Sequence, residues 1–234
     1  MPDFRERSRE MEIMDDLEYR GPLMDRTLFE LEIINKWLGG NDVTIGGIKN
    51  LLQNPTDNRI TIADLGCGRG DMLRLIDYWA KQNGRDVKLI GIDANPYIIN
   101  AAKENLKLFP HIEFQAVNIF SPAFQTQKFD VVIGTLFYHH FTNNELIEFF
   151  RHLKNHVTIG FIINDIHRHP LAYYSIRLLT TFFSRSSMVK FDAPLSVRRA
   201  FTKKELLEIL SSAGIKKYTI KWKWAFRWQV LVFA

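Results

Sequence analysis

Between residues 23 and 38 the apolar side chains Leu28, Leu31, Ile34, Trp37 and Leu38 fall three or four positions apart. That is the spacing of one helix face. Gly39-Gly40 follows as a stop, as a left-handed C-cap would. The charged stretch 5–19 is expected to form a helix before it and residues 44–53 a short one after it, with a turn at Asn54-Pro55 and Asp57-Asn58. The rhythm then changes. Short apolar runs at 60–65, 87–92, 111–117, 129–134 and 157–164 alternate with helical patterns at 70–82, 96–107 and 143–153. Such alternation predicts an α/β fold with a parallel sheet covered on both faces. The tail departs from it: a helix over 169–183, a helix over 202–212 with Thr202 and Glu205 placed as a capping box, and two adjacent strands at 216–222 and 226–233. The chain thus divides into a helical N-terminal cap, 1–57, and a main domain, 58–234, with an insertion at about 168–201.

Composition narrows this picture. With 234 residues, 46% of them hydrophobic, the chain can bury one sizeable core. The net charge is +5 and the pI about 9.3. The basic surplus gathers near the C-terminus, at Lys203, Lys204, Lys216, Lys217, Lys221, Lys223 and Arg227. A solvated basic face explains this as readily as an anionic partner does. The single cysteine, Cys67, excludes an intramolecular disulfide and a cysteine zinc site. The charged N-terminus lacks the apolar stretch of a secretory signal. The longest apolar candidate, Leu171 to Phe183, is interrupted by Arg177, so no membrane span is expected and the chain is read as cytoplasmic.

Candidate chemistry centres on Asp64-Leu65-Gly66-Cys67-Gly68-Arg69-Gly70-Asp71, where a strand runs through a glycine loop into a helix. The glycines permit positive φ and close approach of a ligand to backbone N–H groups at the helix start. A dinucleotide fingerprint needs its third glycine where Asp71 stands. Carboxylates at Asp64 and Asp71 suit an ammonium or sulfonium better than a pyrophosphate. Asp93, 27 residues after Gly66, closes the second strand. A carboxylate there accepts hydrogen bonds from both hydroxyls of a ribose.

In these residues the chain resembles the class I S-adenosylmethionine (SAM)-dependent methyltransferases, whose D-L-G-C-G-x-G motif it carries, over roughly residues 58–234. The resemblance implies a Rossmann-like, seven-stranded, mostly parallel sheet with an antiparallel last strand, and SAM as cofactor. It implies a cofactor site of Asp64, Gly66, Cys67, Gly68, Gly70, Asp71, Asp93, Ala94 and Asn95, with Asn118 and Ile119 flanking the adenine and Thr135 and Leu136 on the methionine side. The family usually has Asp where Asn118 stands.

The implied reaction is methyl transfer to a small lipophilic or aromatic acceptor, and specifically O-methylation of a phenol or quinone-like compound. A phenol ionises near pH 10, so a histidine base helps at neutral pH. His139-His140 follow the fourth strand, and His167 and His169 the fifth, at the sheet edge where ligands bind. His139 or His140 is the expected base, with His167 as the alternative and Asp165 as a group that orients one imidazole. His111, His152 and His156 receive no role. No metal site is expected, because no spacing such as H-E-x-x-H appears. The segments L-F-Y-H-H-F and I-N-D-I-H-R-H-P-L-A-Y look like small-molecule methyltransferases of bacterial secondary metabolism and quinone pathways. The D/N-P-P-Y/F motif of enzymes acting on exocyclic base amines is missing after the fourth strand; Asn95-Pro96-Tyr97 stands at the wrong edge.

The aromatic insertion would serve as a lid, and Arg168, Arg185, Arg198 and Arg199 would meet an anionic group of the acceptor. Two other readings stay open. Lys221-Trp222-Lys223-Trp224 would suit RNA stacking, although alternation on a strand with one buried face gives the same pattern, and nucleic acid is not the expected partner. A non-catalytic SAM-binding module is the other. The N-terminal helices would alternatively serve as a homodimer surface.

Overall fold

A computed structural model describes residues 2–53 and 59–234. The expected turn at Asn54-Pro55 and Asp57-Asn58, and the domain boundary placed there, lie outside the described residues. Seven strands form one sheet: β1 Ile60–Leu65, β2 Val87–Asp93, β3 Glu113–Ala116, β4 Phe129–Thr135, β5 Val157–Ile166, β6 Tyr218–Lys223 and β7 Arg227–Phe233. Their order is β3-β2-β1-β4-β5-β7-β6. The first five run parallel, and β7 lies antiparallel between β5 and β6. The order reverses between β1 and β4, and the crevice beyond the carboxyl ends of those two strands is where such sheets bind ligands.

The helices are α1 Pro22–Trp37, α2 Gly40–Leu51, α3 Asp71–Gln82, α4 Pro96–Asn105, α5 Pro122–Gln125, α6 Asn143–His156, α7 Pro170–Phe183, α8 Ser187–Arg199 and α9 Lys203–Ser212. Both faces of the sheet are covered. One core joins β4 and β5 to α6 and α9 through Phe149, Phe150, Phe161 and Leu206. The other joins β1 and β2 to α2, α3 and α4 through Ile48, Ile62, Leu73 and Ile99. Each such buried side chain stabilises the fold by about 1.5–3 kcal/mol relative to exposure.

Helix α2 reaches this sheet because it presents Gly47 to it. A Cβ at Gly47 would stand 2.9 Å from Ile162 Cδ1 and 3.0 Å from Leu231 Cδ2. Polar side chains from the strands complete the seat: Asn164 Nδ2 donates to Gly40 O (2.7 Å) and Thr44 Oγ1 (2.8 Å), and Gln229 Nε2 donates to Val43 O (2.6 Å). Gly39, with φ +69°, turns α1 directly into α2, so α2 begins earlier than the expected 44–53.

The N-terminal stretch corrects the expectation of a helix over 5–19. It forms no α-helix: the chain is irregular, with a 3-10 turn at Ile13–Asp15 and a second turn closed by Tyr19 N to Asp16 O (3.0 Å). Its side chains carry no continuous apolar stripe to bury a helix face. Tertiary polar contacts hold it open instead. Arg168 Nε donates to Phe4 O (3.0 Å), Ser8 N to Arg198 O (3.0 Å), and Ile13 N to Asp192 Oδ1 (2.8 Å). Helix α8 has no counterpart in the apolar pattern. It contains Pro194, and polar and apolar residues alike are buried around it, including Asp192, Leu195, Ser196 and Arg199, so no amphipathic stripe marks it. The hairpin β6–β7 leaves Trp222 and Trp224 exposed and buries Trp228; the alternation in β6 therefore does not reflect a buried tryptophan face. No helix among the described residues is long and apolar enough to cross a membrane.

Candidate functional site

Strand β1 ends in Asp64-Leu65 and turns at Gly66, Gly68 and Gly70, all at positive φ (+64°, +51° and +79°). The turn is pinned by Gly66 N to Ile92 O (2.9 Å), Cys67 N to Ile92 O (3.2 Å) and Gly70 N to Cys67 O (2.8 Å). A Cβ at Gly66 would collide with Phe137 Cδ2 at 2.3 Å, whereas one at Gly68 would meet nothing within 4 Å. The first glycine is required by packing, and the second faces open space. Beside this loop Asp93 Oδ1 accepts from Asn95 N (2.9 Å).

The electrostatics are those of a buried acidic cluster. Burial pushes Asp64 well above the ordinary carboxylate range, and the nearby charges of Asp71 and Asp93 add to the effect. Burial, then the neighbouring Glu32, pushes Asp71 up to about 7. Burial pushes Asp93 up to about 6, against the pull of the backbone N–H groups of Asn95 and Gly68. Asp71 Oδ1 is buried with no hydrogen-bond partner. An unpartnered buried carboxylate oxygen is costly, and a cationic ligand would relieve it. Burial also pushes the Cys67 thiol up, which leaves it a packing residue and not a nucleophile.

The other wall carries two imidazoles. After β4 the chain passes through Leu136 at φ +55°, a sparsely populated conformation for a branched residue, held by Leu136 N to Asn164 O (2.8 Å). A 3-10 turn, Tyr138–His140, follows. His139 is buried; its Nδ1 lies 2.7 Å from Asp165 Oδ1, and its backbone N donates to Asp165 Oδ2 (3.1 Å). His140 Nδ1 lies 2.6 Å from Asp15 Oδ1. Arg199 pairs with Asp15 and donates to His140 O (2.6 Å), and Arg7 Nη2 donates to His139 O (2.9 Å). Burial would raise Asp165, but His139 outweighs it and holds the carboxyl below its usual range. Asp15 is likewise held down by His140 and Arg199 in spite of burial. Glu12, buried among these groups, is pushed up to about 7 by its desolvation.

Loop and imidazoles open onto one cavity of about 1250 Å³, lined also by Leu31 and Ile34 of α1, Ile176 and Leu179 of α7, and Phe137 and Phe141. Most residues expected from sequence line it: Asp64, Gly66, Cys67, Gly68, Asp71, Asp93, Ala94, Asn95, Asn118, Ile119, Thr135, Leu136, His139 and His140. Gly70 does not; its Cβ would press on Leu106 and Phe114, so it shapes the turn from behind. Some lining side chains are already committed. Asn95 caps α4 by accepting from Tyr97 N (2.8 Å) and donates to Tyr19 O (3.0 Å). Asn118 Oδ1 accepts from Phe120 N (2.9 Å), and Thr135 Oγ1 shares a hydrogen bond with Thr44 Oγ1 (2.8 Å).

Two expectations fail. His167 is not brought to the cavity: its N–H donates to Phe226 O (2.7 Å) and its ring packs on Trp228, centroids 4.8 Å apart. The histidine clusters of β4 and β5 therefore do not converge. Of the four arginines singled out, only Arg199 reaches the cavity. Arg168 is buried in a two-pronged pair with Glu205 (2.7 and 2.9 Å), and Arg198 pairs with Glu10 (3.1 Å). Glu12, Asp15 and Arg7 were invisible to sequence reasoning, since nothing in a charged, irregular stretch marks which residue it lays over a cleft.

A family model described as "Methyltransferase domain" matches residues 62–188, more than half of the chain. The chain belongs to this family. It is a class I, SAM-dependent methyltransferase. No curated protein sequence matches it. Among solved structures, the methyltransferase resembles the plantazolicin methyltransferase BpumL in complex with SAH (TM-score 0.63, 16% identity, covering 90% of this chain and 93% of that one). It also resembles human N-acetylserotonin methyltransferase in complex with SAM (TM-score 0.61, 17% identity, 91% and 56%). A third is the CMeT domain of the citrinin polyketide synthase (TM-score 0.62, 15% identity, 82% and 52%). The chain thus spans about half the length of the latter two. At these identities the likeness is one of fold.

Proposed function

We propose that this methyltransferase transfers a methyl group to a small lipophilic or aromatic acceptor, and that the atom methylated is a hydroxyl oxygen. The observation that carries the reading is the single cavity shared by the acidic glycine loop and two carboxylate-held imidazoles. SAM, when bound, supplies a methyl already activated on a sulfonium, whose sulfur keeps the bond pair and leaves as a neutral thioether. The residues do the rest. Asp93 accepts from the ribose hydroxyls, the Gly66–Gly68 turn gives the ligand backbone room, and Asp64 and Asp71 favour its positive charge. Asn118 and Ile119 flank the adenine, and Thr135 and Leu136 the methionine side.

Each imidazole is oriented by a carboxylate at Nδ1, Asp165 for His139 and Asp15 for His140. That would leave Nε2 to take the proton of an acceptor hydroxyl, the orientation logic of a carboxylate–histidine base. Apolar side chains of α1 and α7 give an aromatic acceptor its walls. The N-terminal stretch and α1 act as a cap over the cleft and about 168–201 as a lid, and together they exclude water. A screen with isotopically labelled SAM against phenols, quinols and single-stranded RNA tests the reading. Label in an O-methyl ether supports it. Label only in RNA, or none in any pool despite SAM binding, overturns it.

A further inference from the structure

The two cleft imidazoles are arranged as metal ligands are. Their rings lie side by side, centroids 4.3 Å apart and tilted by 32°. Each commits Nδ1 to a carboxylate, Asp165 at 2.7 Å and Asp15 at 2.6 Å. Metal-bound histidines are held in this way, with the second nitrogen fixed by an outer carboxylate and Nε2 left to the ion. Glu12 supplies the third group. Its Oε1 is buried with no hydrogen-bond partner and stands 3.6 Å from His139 Nε2 and 3.8 Å from Arg199 Nε. One ligand atom from each of Glu12, His139 and His140 lies within 4.8 Å of the others, and all three line the cavity.

Carboxylates stand behind both imidazoles, and Glu12 adds an acidic group beside them, among the guanidiniums of Arg7, Arg199 and Arg227 that face the same cluster. We propose that Glu12, His139 and His140 form a binding site for a divalent transition-metal ion. Two imidazoles and one carboxylate suit zinc, iron, cobalt or nickel better than magnesium or calcium, which take oxygen ligands. Three protein ligands leave positions open towards the cavity. The role of the ion rests on the methyl-transfer reading of the same cleft: it would lower the pKa of an acceptor hydroxyl. The proton then leaves to solvent as the acceptor binds, and the oxygen lone pair is free to take the methyl. An ion there replaces an imidazole base. The ligands stand at positions 12, 139 and 140, a spacing no sequence motif announces.

The test uses the full chain stripped with a chelator. Zinc is titrated by calorimetry and cobalt by its visible absorption, with S-adenosylhomocysteine titrated separately. One equivalent of ion should bind. Glu12→Gln and His140→Gln should each weaken it about tenfold or more while leaving the affinity for S-adenosylhomocysteine unchanged. No saturable binding of either ion, or binding that both substitutions leave intact, overturns the proposal. Should the ion bind while S-adenosylhomocysteine does not, the metal site stands and the methyl-transfer reading falls. The reverse result removes the metal alone.

Discussion

A single carboxylate illustrates how function separates from stability in this chain. Asp93 ends β2, is pushed up to about 6 by burial, and is tied to the fold through neighbouring backbone N–H groups, Asn95 N (2.9 Å) and Gly68 N among them. Asp93→Ala should leave the fold intact. It should weaken SAM binding on the order of 100-fold, two charge-assisted hydrogen bonds at about 1.5 kcal/mol each. Calorimetry on the folded variant decides; unchanged affinity contradicts the assignment. His140→Gln should spare SAM affinity and slow transfer about 100-fold or more, which a rate measurement at saturating SAM would show. The cavity-lining positions Asp64, Asp93 and Thr135 were legible because they stand at the carboxyl ends of strands in fixed order. Asp15 and Glu12 were not, because their partners lie more than a hundred positions away. His167 misled for the opposite reason. It follows β5 as His139 follows β4, yet Trp228 on the neighbouring antiparallel strand captures its ring.

At the scale of elements, periodicity located β1 to the residue and most other strands to within one or two, since buried parallel strands leave short apolar runs. It failed where packing is not one-sided. Helix α8 is buried on polar and apolar sides alike, and the N-terminal stretch is held by ionic and backbone contacts in place of an apolar face. Helix α2 offers a paired test of close approach. A Cβ at Gly46 would find only Gln229 Nε2, at 3.8 Å, whereas one at Gly47 would press on buried Ile162 and Leu231. Gly46→Ala should stabilise by about 0.5–1 kcal/mol through helix propensity. Gly47→Ala should forfeit that gain and destabilise by about 1–2 kcal/mol. Thermal unfolding of the two variants checks this; equal shifts in melting temperature would show that α2 is not seated as described.

Across the whole molecule, acidic groups are gathered around one cavity in a chain of net charge +5, so the local field opposes the overall one. This sets a pH dependence. Folding raises Asp71 to about 7 and Asp93 to about 6, from an unfolded value near 4. Between those limits the unliganded folded state holds more protons than the unfolded one, so its stability falls as pH rises through about 4–7. A cationic ligand favours the ionised carboxylates, so SAM affinity should increase as pH rises from about 5.5 to 7.5, with protons released on binding. Titrations in buffers of different ionisation enthalpy measure that release; uptake of protons would contradict it. A crystal structure with S-adenosylhomocysteine bound is the most direct measurement. The ligand's ribose hydroxyls should lie on the Asp93 carboxylate and its sulfur between the Gly66–Gly68 turn and the cavity that holds His139 and His140. A nucleoside seated elsewhere on the sheet edge, with Asp93 facing solvent, would contradict that placement.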